Sequence, residues 1–146
     1  MNRDPEEKPK VRLITSFAKG PRRRKRPMGF VLEYQGSKEP VTLTRIMTEE
    51  TTENEAALLV VCKAIERFNG KPCEVEIYTD SRWFYSAATV WIWKWMHCFK
   101  EAQIKYKDIW YQYALFFKEY HPKVFLNKKT EYTKWLEGEV NARRDH

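Results

Sequence analysis

Acidic side chains are missing where this chain is most basic. No Asp or Glu lies between Val11 and Met28, a span that holds Lys19 and the run Arg22-Arg23-Arg24-Lys25-Arg26. Long apolar runs are missing as well. The longest, Ala56 to Cys62, is too short to cross a bilayer, and the first ten residues, MNRDPEEKPK, lack the apolar core of a secretory leader. Cysteine is scarce. The three present, Cys62, Cys73 and Cys98, have no metal-like spacing and are odd in number. They read as reduced thiols, the expectation for a cytoplasmic protein with no membrane partner. There is no internal repeat, and the basic run is the only compositionally biased stretch.

What is present suits one packed domain. A chain of 146 residues buries about two-thirds of its unfolded surface. Aromatics make up 15% of it, with 6 Trp, which argues against disorder throughout. The formal net charge is +7, a balance that favours polyanionic partners. Residues 1–10 are charged and carry two prolines, so they are expected to form a disordered tail before a domain spanning 11–146.

The centre of the chain is Cys73 to Met96. Val75 and Ile77 alternate with Glu74, Glu76 and Tyr78, the period of a half-buried strand. Phe84, Ala87, Ala88, Trp91 and Trp95 then recur at spacings of three and four, which puts them on one helical face. Ser81 reads as the N-cap, and Asp80 stands at the carboxyl end of the strand, the edge where open α/β sheets bind ligands. Before this stretch, strands are expected from Val11, from Gly29 to Gln35 and from Thr42 to Met47, with Lys19 to Pro27 a basic loop. A helix follows from Thr52 to Phe68, ended by Asn69-Gly70. After it come a helix over Asp108–Tyr120, a short strand over Val124–Leu126 and a charged helix over Tyr132–Arg144. This order implies an α/β fold: a five-stranded mixed sheet, an antiparallel meander plus two parallel strands, with helices on both faces.

From Val11 to Arg144 the chain resembles the type 1 ribonuclease H family. Tyr78-Thr-Asp-Ser-Arg-Trp followed by Trp91-Ile-Trp-Lys-Trp95 carries the resemblance, together with Lys107-Asp-Ile-Trp110 and Thr52-Glu-Asn-Glu-Ala-Ala-Leu58. The resemblance implies a ribonuclease H-like fold. It also implies cleavage of the RNA strand of RNA–DNA hybrids by two divalent ions held between carboxylates. Of the four carboxylates expected, the first position is Ser16, the second is Ala57 and the third is Asp80. The fourth falls early in the last helix, with Glu137 and Glu139 as candidates. Glu53 and Glu55 are poor replacements for the second, because one lies a turn away and the other on nearly the opposite side of the helix.

A neutral serine is a poor ligand for Mg²⁺ and an alanine is none. The expectation is therefore a degenerate site, with Asp80 vestigial, Glu139 a weak catalytic candidate, and no cofactor unless Mg²⁺ or Mn²⁺ serves a rebuilt centre. Binding would remain. Arg22, Arg23, Arg24, Lys25 and Arg26 suit phosphates. The resemblance adds Asn54, Arg82, Trp91 and Lys94 as nucleic-acid contacts, although an aromatic stripe such as Trp91 and Trp95 is commonly core. The leading expectation is a non-catalytic protein recognising RNA–DNA hybrid or duplex RNA through backbone contacts. An active hybrid-cleaving nuclease is the second. A scaffold domain with a protein partner on Trp110 and Tyr111 is the third.

Overall fold

The computed structural model describes residues 8–144. Seven residues of the expected N-terminal tail, 1–7, lie outside the described residues. β1 (Lys10–Phe17), β2 (Arg24–Gln35) and β3 (Val41–Thr51) form an antiparallel meander. β4 (Glu74–Thr79) lies parallel to β1, and β5 (Lys123–Leu126) lies parallel to β4. The resulting five-stranded sheet has the order β3-β2-β1-β4-β5.

Alternation along β1 sends its two rows to opposite faces. Val11, Leu13 and Phe17 join a large core beneath α1 (Glu53–Ile65) and α4 (Lys107–Tyr120). Ile14 and Ala18 face the other side and pack with Leu136 and Val140 of α5 (Thr133–Ala142). The sheet is thus covered on both faces. α5 comes down closely over Gly29, where an added Cβ would lie 2.9 Å from the Arg45 carbonyl and 3.3 Å from Leu136.

Two strands run further than their alternation suggests. β3 continues to Thr51, and β2 begins at Arg24, because Arg24 pairs with Thr51 and Arg26 with Glu49. Arg24, Lys25 and Arg26 are therefore strand residues, and the connecting turn shrinks to residues 18–23.

The central helix also departs from regular spacing. α2 (Arg82–Ser86) passes through a π-helical turn over Ala87–Trp91 into α3 (Ile92–Trp95). In that turn the Ile92 N–H reaches back to the Ala87 carbonyl. The wider turn carries one residue more than an α-turn, so the next inward side chain after Ala87 and Ala88 is Ile92, fully buried. Trp91, expected to share a face with Phe84 and Ala88 and named above as a nucleic-acid contact, is turned outward and is 49% exposed. Trp95 is half-buried against Trp110, with ring centroids 5.3 Å apart. Trp110 itself is wholly buried, stacked on Phe84, so it cannot form the protein-facing surface considered above; its neighbour Tyr111 is exposed.

Ser81 caps α2 as its sequence position implies, its hydroxyl accepting from the Phe84 N–H at 3.0 Å. Ser81→Ala should cost about 1 kcal/mol of stability in a denaturant titration. A loss near zero would show that the cap contributes nothing here.

Candidate nucleic-acid interface

The carboxyl ends of β1 and β4 bring Ser16 and Asp80 together. Ile14 and Tyr78 are register partners, both in the core under α5. Two residues further along each strand, Ser16 and Asp80 continue those rows on the same face. Ser16 is buried, and Asp80 is exposed at the rim. Asp80 lines a cavity of about 280 Å³ with Thr15, Asn127, Lys128, Thr133 and Glu137. Glu137, the first of the two late acids named by sequence, is thus the one that shares Asp80's cavity. Glu139 lines a different cavity with Arg45, Glu49 and Trp135. Two positions along a helix turn a side chain through about 200°, which separates the pair. Ala57 is buried in the main core beneath α1.

The turn after β1 is folded against these elements by polar contacts. Lys19 Nζ lies 2.9 Å from Asp80 Oδ1 and 2.8 Å from Oδ2. The Gly20 N–H donates to Glu53 Oε1 at 2.8 Å, and Arg23 donates to Glu55 Oε1 at 2.7 Å. These contacts bring the basic turn beside the start of α1, where Asn54 is exposed.

The five-cation run is not uniform. Arg22, Arg23, Arg24 and Lys25 are exposed, whereas Arg26 is fully buried. Arg26 shares the inward row of β2 with Met28, Phe30 and Leu32, so its side chain enters the fold rather than the solvent. Its guanidinium donates to the carbonyls of Ala18 (2.6 Å), Arg22 (2.9 Å), Gly20 (3.1 Å) and Thr51 (3.4 Å). Burial pulls it below the ordinary guanidinium range, with the charge of Glu53 acting in the opposite direction. Arg26 is therefore an organiser of the turn, and the expectation that it contacts phosphate is corrected. Arg82 is exposed at the start of α2. Trp91 and Lys94 form a separate exposed pair, with Lys94 Nζ 5.7 Å from the indole centroid.

A second polar cluster, on the α5 face, was not singled out by sequence. Glu33 is buried on β2 and accepts from Arg12 at 2.7 Å, and also from Tyr132 and Gln35. Arg12 continues to Glu131 at 2.7 Å, which ties the segment before α5 to the sheet. Burial pushes the Glu33 carboxyl up. The hydrogen bonds from Arg12, Tyr132 and Gln35 outweigh it and hold the group below its ordinary value. The available signal was Glu33 facing Arg12 across the β1–β2 pair.

The family model "RNase H" matches residues 14–128. A ribonuclease H of Neorickettsia sennetsu is 33% identical over 84 residues, covering 55% of this chain and 54% of that protein. The matched stretch thus spans little more than half of that relative. Among solved structures, LC9-RNase H1, a type 1 enzyme with the type 2 active-site motif, superposes with a TM-score of 0.69 at 19% identity, over 95% of this chain and 72% of that one. LC11-RNase H1 in complex with an RNA/DNA hybrid superposes with a TM-score of 0.57 at 14% identity, over 90% of this chain and 97% of that one. At these identities the superpositions speak to the fold.

Proposed function

The chain belongs to the ribonuclease H family, and from that premise we propose that it binds nucleic-acid duplexes, RNA–DNA hybrid foremost and duplex RNA second, without cutting them. The observation that carries the reading is the chemistry at the carboxyl ends of β1 and β4. Of the three positions that match the family's ligands, two meet there, Ser16 as a buried hydroxyl and Asp80 as a carboxylate already engaged by Lys19, and the third, Ala57, is a methyl of α1 in the main core. Among the described residues, no group of three or more His, Cys, Asp or Glu side chains is placed to hold a metal. This donor set does not fit a pair of divalent ions, which need several hard oxygens with enough negative charge between them. Recognition through the backbone needs no such set. It needs cations and a surface shaped to the duplex.

The exposed Arg22, Arg23, Arg24 and Lys25 supply the cations, and Asn54, Arg82, Trp91 and Lys94 add polar and stacking contacts. Removing Arg26 from the phosphate set leaves a salt slope of roughly −3 to −4 if the other four engage. Arg24→Ala combined with Lys25→Ala should make that slope shallower by roughly 2 in mobility shifts at several salt concentrations. An unchanged slope would remove this edge of the sheet from the interface.

The competing reading, cleavage by a rebuilt metal site, draws on Glu137 sharing a cavity with Asp80. Incubation with hybrid in Mg²⁺ and in Mn²⁺, against Asp80→Ala, decides between them. Cleavage that disappears in the variant would overturn the binding-only reading. Among the described residues no helix is long and apolar enough to cross a membrane.

A further inference from the structure

The acids around the carboxyl ends of β1 and β4 are each matched by a donor of this chain. Lys19 straddles both oxygens of Asp80, and its ammonium lies 3.3 Å from the centroid of the Phe17 ring. Glu53 accepts from Gly20, Glu55 from Arg23, and Glu137 lies 3.6 Å from Lys129. Lys19, Gly20 and Arg23 all come from the short turn that Arg26 holds in place from below. The turn therefore presents its positive groups inward, to the acids, as well as outward.

We propose that Lys19 is a built-in counter-cation: its ammonium neutralises Asp80 in place of a divalent ion, so this end of the sheet meets a phosphodiester without an added metal. The proposal rests on the family placement above, because that is what makes Asp80 a former ligand. A divalent ion entering at Asp80 must break the contact with Lys19 and then share the space with a positive charge, which repels it. A side-chain ammonium is also a fixed cation, independent of free metal concentration. Phe17 helps to hold it, since an ammonium over an aromatic face is attracted by the ring.

The test is a Mn²⁺ titration followed by paramagnetic broadening of backbone amides near Asp80. It uses the full chain and four forms: wild type, Lys19→Ala, Ser16→Asp, and Ser16→Asp with Lys19→Ala. Ser16→Asp places a second carboxylate beside Asp80, and removing Lys19 from that background should tighten Mn²⁺ at least tenfold. Lys19→Arg in the same background should bind no better than Ser16→Asp alone. Lys19→Ala by itself alters an exposed side chain and should shift in the same direction, so the outcome does not depend on Ser16→Asp folding. Equal Mn²⁺ affinity with and without Lys19 would overturn the proposal. So would a wild-type protein that binds Mn²⁺ tightly and loses it in Asp80→Asn. A failed mobility shift would sink the duplex-binding reading and the phosphodiester contact with it, and would leave standing the role of Lys19 as the counter-cation of Asp80.

Discussion

Arg26→Met should lower the free energy of unfolding by about 3 kcal/mol, read from a urea titration, while leaving the salt slope of duplex binding unchanged. The side chain is wholly buried and donates to the carbonyls of Ala18, Gly20, Arg22 and Thr51. Methionine fills much of the volume and supplies none of the donors. The orphaned carbonyls would then have to find water, and the turn over residues 18–23 would loosen. Arg26→Lys should recover only part of the loss, because a single ammonium cannot reproduce a planar fork spread over several acceptors. A phosphate ligand would behave in the opposite way: stability would hold and the slope would fall by about one. That second pattern would reverse the assignment of Arg26 to the interior.

Glu33→Ala is expected to cost a similar amount, about 3 kcal/mol, because it strips the partner from a half-buried Arg12 and leaves Tyr132 without its acceptor. The pH dependence gives a separate check. The Glu33 carboxyl is held below its ordinary value in the folded chain, so the folded state favours the ionised form. Its contribution is complete above the unfolded-state carboxylate value of about 4.3 and is lost as pH falls through the lower folded-state value. Wild-type stability should therefore decline across that acidic window, and the Glu33→Ala protein should decline less steeply. Parallel curves for the two proteins would mean that the carboxyl is not coupled to folding.

The sequence made the sheet legible because its signals are local. Val75 and Ile77 alternate, Ser81 sits where a cap belongs, and Gly70 and Pro72 close the first helix region. It also exposed Ser16 and Ala57, since a missing charge is visible in one dimension. What it hid depends on position in space. Arg26 looks like its four neighbours until pairing with β3 fixes which row faces inward. Lys19 and Asp80 are 61 residues apart, and nothing in either segment announces the other. The late acids were undecidable from spacing alone, and the orientation of α5 separates Glu137 from Glu139. Trp91 shares a face with Phe84 and Ala88 only if the helical period is constant from Phe84 to Trp95, and the wide turn breaks that period.

That broken period reaches beyond a single side chain. An indole is held in solvent beside Lys94 because the backbone carries one surplus unit between Ala87 and Trp91. Winding the same residues as a regular α-helix would rotate everything downstream by about 100°, swinging Ile92 towards water and Trp91 towards Phe84, whereas removing one residue from the wide turn would leave Ile92 facing inward. The face this helix offers to a partner is therefore set by how that one turn is wound, and two chains with identical tryptophan spacing present different surfaces if one lacks the wide turn.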